Sequence, residues 1–427
     1  MRDVTSLSAI LHVAWEYPPL VYGGLGRHVH ALAEAQAARG HDVTVLTQAT
    51  LGAPDDSFVN GVRVVRVAHD PPLVPFDEEH LLAWVASLES AMTRRATALV
   101  TEARPDIVHA HDWMVAHAGA AIREYAHGTL VATIHATEAG RHQGWLPTDL
   151  SDAIHSVEDW LVQEADRVIA CSGHMRWEVE RLHPASGDRL DVVANGIDLD
   201  AWHAGPQDIA HARDRYAPTG PLVVFCGRLE WEKGVHTLVD AVPRLRRRIP
   251  GVRVVITGRG GAADDLEHQV RERRVTSSVT FTGWMPERDM RGLIAAADAL
   301  VIPSIYEPFG LVALEGAALG APLVVARSGG LAEFVRDGVT GRTFTPGDPA
   351  DLARATTEAV LEPDRSRTMA QAARQRLSDS YRWEMLADET DRAYARAFER
   401  RSAGALPIRK QGPVIPPRGV NLLRDLG

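Results

Sequence analysis

The feature that most constrains the fold is a pattern that recurs along the chain. A short apolar run is followed by a loop rich in glycine and polar residues, and then by a helical segment. Short apolar runs in this setting are typical of buried parallel strands. Two series of this pattern lie on either side of Trp202 to Gly220, where the pattern weakens and turn-forming residues gather. The sequence therefore predicts an α/β protein with two Rossmann-like, doubly wound parallel-sheet domains facing across a cleft.

The predicted elements follow from the same pattern. Strands are predicted at residues 9–15, 43–46, 62–67, 107–110, 131–134, 167–170, 191–194, 222–226, 252–257, 279–282, 299–302 and 323–326. The main helices are predicted at residues 27–39, 78–103, 234–248, 310–319, 349–361, 364–378 and 383–401. The predicted organisation is an N-terminal domain (1–203), a linker (204–220), a second domain (221–380), a C-terminal helix (381–403) that packs back toward the N-terminal domain, and a loosely ordered tail (404–427).

Length, charge and composition exclude several classes of protein. A chain of 427 residues with 45% hydrophobic residues is long enough for two or three cores. A net charge of −10, without a long basic run, argues against a general nucleic-acid binder. The two cysteines, Cys171 and Cys226, lie in apolar runs, which predicts core residues without a disulfide. No apolar run approaches ~18 residues, so no transmembrane helix is expected. The apolar patch that ends at Glu16 is interpreted as a strand and not a signal peptide, which predicts a cytoplasmic protein.

Two acids stand out near the end of the second series. Glu307 follows an apolar strand and precedes Pro308, which disfavours helix at Glu307, whereas Glu315 lies within the helical segment that follows. On one continuous helix they would be about 12 Å apart, against the ~5 Å of a retaining glycosidase pair. They are therefore interpreted as separate anchors at the carboxyl edge of a sheet, where open α/β sheets bind ligands. Two solvated acids remain the alternative.

Two loops have the composition of phosphate sites. Gly23, Gly24 and Gly26 lie where a helix begins, which suits a phosphate or a sugar but is also compatible with a plain tight turn. The spacing is not that of a dinucleotide-binding fingerprint. Arg228 and Lys233 lie in a loop that opens another helix and could hold a diphosphate, or could be two solvated cations.

Possible metal ligands receive a different interpretation. Asp198 and Asp200 imitate an Asp-x-Asp metal motif, but their place before the linker argues against that role. The spacing of the histidines fits no catalytic zinc motif, so they are predicted to be a mixture of core and cleft residues: His28, His30, His109, His111 and His117.

These motifs together resemble the retaining glycosyltransferases of family 4, which have the GT-B fold, over nearly the whole chain. The resemblance rests on seven elements in order: Gly23-Gly24, His111-Asp112-Trp113, His135, Asn195-Gly196-Ile197-Asp198, Gly227-Arg228 with Lys233-Gly234, Glu307 with Glu315, and Gly329-Gly330-Leu331-Ala332-Glu333. Within the family, the chain is most similar to actinobacterial α-1,4-glucan glucosyltransferases that make methylglucose lipopolysaccharide and glycogen-like glucans.

The resemblance implies roles for individual residues. The donor diphosphate would be bound by Gly23, Gly24, Arg228 and Lys233. The donor sugar and ribose would be bound by Glu307, Phe309, Gly310, Leu311 and Glu315, with Gly329 and Gly330 in the same pocket. The catalytic residues would be His135, Asp112 and Glu307, and acceptor contacts would come from Trp113, Trp145 and Asn195. Burial is the alternative for both tryptophans. No cofactor or essential metal is expected.

The expected activity is transfer of glucose, with retention, from UDP- or ADP-glucose to the non-reducing end of an α-1,4-glucan or maltooligosaccharide. Val21 stands where glycogen synthases carry a lysine, so the nucleotide base stays open. One alternative is transfer of mannose or another hexose to a lipid or a small phosphorylated acceptor. Others are a phosphorylase or sugar-nucleotide epimerase of the same fold, and a non-catalytic carbohydrate-binding protein. A phosphorylase would need a pyridoxal-binding lysine, and Lys233 and Lys410 are the only lysines of the chain.

Overall fold

The chain divides into two compact units. The computed structural model describes residues 8–71 and 73–404. Within these residues, the first unit contains 8–71, 73–195 and 383–404, and the second contains 196–382. The predicted tail lies, beyond Gly404, outside the described residues.

The first unit is built on an eight-stranded sheet with the order β3-β4-β2-β1-β5-β6-β7-β8. All neighbouring strands are parallel except β3 and β4. Its strands are β1 (Ala9–Val13), β2 (Asp42–Gln48), β3 (Asp56–Val59), β4 (Val62–Val67), β5 (Ile107–His111), β6 (Thr129–Ile134), β7 (Arg167–Ala170) and β8 (Leu190–Val192). Its helices before the second unit are α1 (Gly24–Ala38), α2 (Leu81–Glu102), α3 (Ala116–Ala126), α4 (Glu138–Arg141), α5 (Asp149–Glu164) and α6 (Gly173–Leu182), with 3₁₀ helices at Trp113–Val115 and Pro184–Arg189.

The second unit has a six-stranded, wholly parallel sheet with the order β11-β10-β9-β12-β13-β14. Its strands are β9 (Leu222–Cys226), β10 (Arg253–Thr257), β11 (Val279–Gly283), β12 (Ala299–Ile302), β13 (Leu323–Ala326) and β14 (Arg342–Phe344). Its helices are α7 (Pro206–Tyr216), α8 (Val235–Arg248), α9 (Ala263–Glu272), α10 (Glu287–Ala295), α11 (Leu311–Ala318), α12 (Leu331–Phe334), α13 (Pro349–Leu361) and α14 (Pro363–Ser380), with a 3₁₀ helix at Trp231–Lys233.

The last helix of the described chain, α15 (Trp383–Ser402), completes the first unit. Leu386, Tyr394 and Ala397 on α15 are buried in the same core as Ile10 of β1 and Val29 of α1. Because these side chains lie at helical spacing, one apolar face of α15 covers the sheet and α1.

Strand order locates the ligand-binding edge of each sheet. In the first unit the chain runs from β1 outward through β2 and β4, and then restarts at β5 on the other side of β1. In the second unit it runs from β9 through β10 to β11, and restarts at β12 on the other side of β9. Ligands of open α/β sheets bind at such reversals, outside the carboxyl ends of the strands. The loops after β1 and β5, and after β9 and β12, are therefore the ones that matter.

Most predicted strands are confirmed, and the two-sheet α/β architecture is confirmed with them. The predicted strands at 62–67, 167–170, 222–226, 299–302 and 323–326 have the observed bounds. Cys171 and Cys226 are buried free thiols, as predicted. The short strands β3 and β14 were not predicted.

The predicted linker at 204–220 is the clearest correction. It contains the helix α7, which packs on α10 in the second unit. Asp208 on α7 pairs with Arg288 (2.9 Å), and Arg213 pairs with Asp298 (2.9 Å). A Cβ atom at Gly292 would lie 2.8 Å from the carbonyl oxygen of Asp208, so glycine permits this close approach of the two helices.

The observed division into units also differs from the predicted boundaries at 203 and 380. The first unit ends at Asn195, and residues 196–203 belong to the second. There the N–H of Ile197 donates to the carbonyl of Tyr381 (2.9 Å).

None of the helices within residues 8–71 and 73–404 combines the length and apolar character that crossing a membrane requires.

A pair of glycine substitutions tests how tightly the loops after β9 and β10 pack. Gly258 has φ +138°, and an added Cβ would lie 1.8 Å from the carbonyl oxygen of Gly227, whereas Gly320 has φ +74° and no atom within 4 Å of an added Cβ. We expect Gly320→Ala to lower the free energy of unfolding by about 1–2 kcal/mol from backbone strain alone. Gly258→Ala should cost about 3 kcal/mol or more, since strain and a clash add. Equal losses in denaturant titrations would contradict this packing.

Candidate active site

In the second unit, Lys233 and Glu307 form an ion pair at the reversal of the sheet. Nζ of Lys233 lies 2.9 Å from Oε2 of Glu307, and both side chains are largely buried, with exposed fractions of 18% and 14%. The hydroxyl of Ser304 donates to the same carboxylate oxygen (3.0 Å). Lys233 ends the 3₁₀ helix after β9, and Glu307 lies in the loop after β12. The structure thus joins two residues that are 74 positions apart in sequence.

Backbone contacts hold these two loops in register. The carbonyl of Glu232 accepts the N–H groups of Ile305 (2.8 Å) and Tyr306 (3.2 Å). Gly234 has φ +66°, and an added Cβ would lie 2.0 Å from the carbonyl oxygen of Pro303. Only glycine can therefore occupy this position without moving the loop. The backbone on both sides of Lys233 is thus held against the loop after β12.

The remaining predicted donor residues of this unit lie in the segments that follow β9, β12 and β13. Arg228 is 43% exposed and donates to Glu232 (3.2 Å). Leu311 is the first residue of α11, and Glu315 lies one turn later and is buried. Gly310 has φ +101° and packs against Leu331, and Phe309 is buried just before it. The N–H of Gly330, in the loop after β13, donates to the carbonyl of Glu307 (3.0 Å).

In the first unit, Glu16 organises the glycine loop. Its buried carboxylate accepts the N–H groups of Tyr22 (2.5 Å), Gly23 (3.2 Å) and Gly26 (2.8 Å). The N–H of Gly24 is not among its donors. Gly24 is the first residue of α1, and the first N–H groups of a helix have no partner within the helix. Gly23 and Gly24 are the two glycines predicted to bind the diphosphate. The N–H of Gly23 donates to Glu16, whereas the N–H of Gly24 does not.

Asp112 and His135 are in direct contact at the ends of β5 and β6. The backbone of Asp112 has φ +63°, a strained value for a residue other than glycine. This conformation lets its carboxylate accept the N–H of His135 (2.6 Å). Burial raises the pKa of Asp112 to about 7, although the hydrogen bond from His135 opposes the shift. The carboxyl group can therefore gain or lose a proton near neutral pH.

His135 ends a buried chain of hydrogen bonds that begins on α15. The amide nitrogen of Gln36 donates to the hydroxyl of Tyr394 (3.2 Å), so its amide oxygen accepts from Nε2 of His12 (2.8 Å). Nδ1 of His12 then accepts from Nε2 of His111 (3.0 Å), and Nδ1 of His111 accepts from Nε2 of His135 (3.2 Å). The tautomer of each imidazole follows from its predecessor. Nδ1 of His135 is left with its lone pair.

Burial keeps these imidazoles neutral. It lowers the pKa of His12 and of His28 to about 4, and it lowers those of His109, His111 and His135 well below their usual value. One nitrogen each of His28, His111 and His135 lies within a 4.8 Å cluster that has the composition of a metal site. Both nitrogens of His111 are already used in the chain, which favours a proton-ordering role over metal ligation.

The other predicted residues of this unit lie nearby or elsewhere. Asn195 is buried, and its Oδ1 lies 2.7 Å from Nδ1 of His28. This contact orients the imidazole of His28. His30 pairs with Glu34, and His117 pairs with Glu89.

The Asp-x-Asp sequence at Asp198 forms a turn, and the two tryptophans predicted to contact the acceptor are partly exposed. Asp198, in the second unit, accepts the N–H groups of Asp200 (2.9 Å) and Ala201 (3.1 Å), which is the geometry of a turn. Trp113 is half-buried, and Trp145 is 42% exposed.

An aromatic cluster after β1 was not predicted. Trp15 stacks on Tyr22, with ring centroids 5.1 Å apart, and Phe76 lies 5.7 Å from Tyr22 and 4.7 Å from Trp84. Tyr22 is 52% exposed and Phe76 is 46% exposed. The available signal was the aromatic residues beside the glycine loop, but Phe76 lies more than 50 positions away from it.

Comparisons with known proteins point to one family of enzymes. The model of the glycosyl transferases group 1 matches residues 207–376, and that of glycosyltransferase family 4 matches residues 22–201. A glycogen synthase of Mycobacterium tuberculosis is 44% identical over 413 residues, covering 93% of this chain and 98% of that protein. An alpha-maltose-1-phosphate synthase of Mycolicibacterium smegmatis is 33% identical, covering 89% and 97%. A sucrose-phosphate synthase of Thermosynechococcus elongatus superposes with a TM-score of 0.79 at 25% identity, covering 92% and 99%.

The neutral histidines predict acid-sensitive folding. His12 and His28 have a pKa of about 4 in the folded protein but take up protons below about pH 6.5 when unfolded. The contribution of these two histidines to stability is therefore full above pH 6.5 and is lost as the pH falls toward 4, by about 1.4 kcal/mol per pH unit for each. The raised pKa of Asp112, about 7, has the opposite sign, because the folded chain binds the extra proton, so it subtracts from this slope below pH 7. Denaturant unfolding between pH 7.5 and 5 measures this slope.

Two variants test whether the pH dependence of stability comes from the buried hydrogen-bonded histidines. His12→Phe should be less stable at pH 7.5, because Gln36 and His111 lose a partner, yet it should lose less stability on acidification. His268→Gln, on the exposed face of α9, should behave as the parent. An unchanged slope in His12→Phe would contradict the role of burial.

Proposed function

We propose that this chain, which belongs to the group 1 glycosyltransferases of family 4, transfers glucose from a nucleoside diphosphate glucose to the non-reducing end of an α-glucan, with retention. The 44% identity to a glycogen synthase over 93% of the chain supports the reaction. The observation that carries the mechanism is the 2.9 Å pair of Lys233 and Glu307 at the sheet reversal. UDP-glucose and ADP-glucose are the proposed donors.

The donor diphosphate is proposed to bind beside Lys233. Its ammonium is a point charge on a loop whose backbone is hydrogen-bonded to the loop after β12, and the exposed guanidinium of Arg228 lies five residues earlier at the start of the same loop. Two cations can neutralise the charge that develops on a departing diphosphate. We propose on this basis that the transfer step requires no metal ion. Glu307 is proposed to accept hydrogen bonds from the sugar hydroxyls, and Glu315 from the ribose.

The reaction proposed is attack on the same face of the sugar. The bond between the anomeric carbon and the phosphate oxygen breaks, and its electron pair leaves with the diphosphate. The acceptor hydroxyl forms the new bond, and its proton passes to the departing phosphate. No enzymic nucleophile is required. His135 is proposed to lie beside the anomeric carbon, where a neutral imidazole and its backbone stabilise positive charge without repelling it.

Asp112 is proposed to orient donor or acceptor next to His135. Its carboxylate already holds the backbone of His135 at 2.6 Å, so it acts on the position of that residue as well. Aromatic rings are proposed to carry the glucan: Trp113 and Trp145 from the sequence, and Tyr22 and Phe76 from the structure.

Lys233→Ala and Glu307→Ala test the donor site. We expect each to lower the rate of glucosyl transfer by about 100-fold or more, because each removes a group that acts on the developing charge. Each also leaves its partner without a counter-charge. Nucleotide release from donor plus maltooligosaccharide measures the rate, and circular dichroism checks the fold. Arg271→Ala, which removes an exposed cation of α9, is the control and should retain full activity. Full activity in a folded Lys233 or Glu307 variant would sink the site assignment.

Phe76→Ala and Trp145→Ala test the acceptor surface. Loss of one stacking ring should raise the KM for maltooligosaccharide about 2- to 10-fold at an unchanged donor KM, since such contacts are worth about 0.5–1.5 kcal/mol. Phe58→Ala, at a 73% exposed position of β3, should change neither constant. Unchanged acceptor KM values in both variants would remove these rings from the acceptor site.

A second candidate function is transfer to a small phosphorylated sugar. The 33% identity to an alpha-maltose-1-phosphate synthase favours it. Assays of UDP-, ADP- and GDP-sugars against maltooligosaccharides, sugar phosphates and lipid acceptors distinguish the candidates. Glucose transfer to maltooligosaccharides supports the first proposal, transfer only to a sugar phosphate supports the second, and transfer of mannose alone would contradict both.

A further inference from the structure

A second polar cluster lies in the first unit, apart from the residues assigned to transfer. His155 and Glu158 are one turn apart on α5, and His183 lies between α6 and the 3₁₀ helix Pro184–Arg189. All three side chains are buried, with exposed fractions of 5%, 2% and 0%. One ligand atom from each lies within a cluster in which every separation is below 4.8 Å.

The three atoms at the centre of this cluster have no hydrogen-bond partner among residues 8–71 and 73–404. They are Nδ1 of His155, Oε2 of Glu158 and Nε2 of His183. Oε2 of Glu158 is 3.8 Å from Nδ1 of His155 and 3.9 Å from Nε2 of His183, which is too long for a hydrogen bond. Buried polar atoms are normally paired, because an unpaired one costs about 1–3 kcal/mol. Three of them within 4.8 Å of one another point to a common partner.

The remaining atoms of two of these side chains are held as metal ligands usually are. Nδ1 of His183 contacts Oδ1 of Asp159 (3.3 Å), which places the ring proton on Nδ1 and the lone pair on Nε2. Oε1 of Glu158 accepts the N–H of Glu138 (2.8 Å) and leaves Oε2 free. A carboxylate behind a histidine is a typical outer shell of a metal site.

We propose that His155, Glu158 and His183 bind a zinc ion. Two imidazole nitrogens and one carboxylate oxygen are a zinc ligand set, and a water molecule completes four-coordination. Zinc bonds of about 2.0–2.1 Å place tetrahedral ligand atoms about 3.4 Å apart, so the separations of 3.8 Å and 3.9 Å from Oε2 of Glu158 to the two imidazole nitrogens close by about half an ångström on binding. Magnesium is disfavoured, because it prefers oxygen ligands.

The ion would join parts of the first unit that are distant in sequence. It ties α5 to the end of α6, and through Glu158 and the N–H of Glu138 it supports the start of α4, three residues after His135. It takes no part in the transfer step. The proposal stands independently of the proposed function, because its observations involve none of the donor-site residues.

Metal analysis of the full chain tests the proposal. The protein is produced without a polyhistidine tag, and zinc is counted by mass spectrometry. We expect about one zinc ion per chain in the parent and in His268→Ala, whose histidine is on the exposed face of α9. Glu158→Gln keeps the shape of the side chain but removes its charge, and His183→Ala removes a ligand. Both should contain less than about a tenth of an equivalent.

A second measurement covers the case in which a variant fails to fold. The parent is freed of metal with a chelator and titrated with Zn²⁺, and its melting temperature should rise by about 3 °C or more. Co²⁺ in place of Zn²⁺ should give the visible absorption of a four-coordinate site. A parent chain that contains no zinc and gains neither stability with Zn²⁺ nor absorption with Co²⁺ would overturn the proposal. So would zinc that persists in both folded variants, because it would be bound elsewhere.

Discussion

The contact between Lys233 and Glu307 is the interaction on which the donor site depends. It links the loops after β9 and β12, the neighbouring strands at which the second sheet reverses its order. The contact exists because the carbonyl of Glu232 receives two N–H groups from the facing loop, and because Gly234 lets the backbone approach Pro303. Backbone geometry therefore places the charges, and the charged side chains need little freedom of their own. A preorganised cation of this kind stabilises a leaving group at no further cost in reorganisation.

The first unit follows a similar rule with different chemistry. Glu16 orders the glycine loop by accepting three backbone N–H groups, and Asp112 orders His135 by accepting one. Both carboxylates therefore fix the conformation of the backbone. The buried chain from Gln36 to His135 then fixes which nitrogen of each imidazole carries the proton. His135 is consequently presented as a neutral ring in one orientation, which suits a position next to developing positive charge.

Sequence patterns predicted the strands well, because buried parallel strands are short apolar runs between loops. Two of the failures, at α7 and β3, lie where burial is slight, whereas the short strand β14 is buried and was also missed. The helix α7 buries only Ala212 and is preceded by Gly205 and begins at Pro206, so its composition resembles a linker. It is held by ion pairs that the sequence does not reveal. Strand β3 is mostly exposed at the edge of its sheet.

Individual residues of the candidate site could be predicted only where they belong to a sequence motif. The pairing of Lys233 with Glu307 joins loops 74 positions apart, and no local pattern predicts it. His109 and His111 alternate on β5 and therefore share a face of the sheet, but His12 reaches that face from another strand, which the sequence did not show. His155 and Glu158 had helical spacing, whereas His183 joins them only in the folded chain. Tertiary contacts, and not propensities, decide which polar residues meet.

Equilibrium binding of nucleotide and nucleotide sugar to the donor-site variants tests the account most directly. Calorimetry would compare UDP with UDP-glucose, and ADP with ADP-glucose, for the parent chain and both alanine variants. If Lys233 binds the diphosphate, Lys233→Ala weakens the nucleotide and its sugar form by the same factor. If Glu307 binds the sugar, Glu307→Ala weakens only the sugar form and binds the free nucleotide at least as tightly as the parent, because Lys233 is released from its carboxylate. Equal weakening of both ligands by Glu307→Ala, or no weakening by Lys233→Ala, would contradict the assignment.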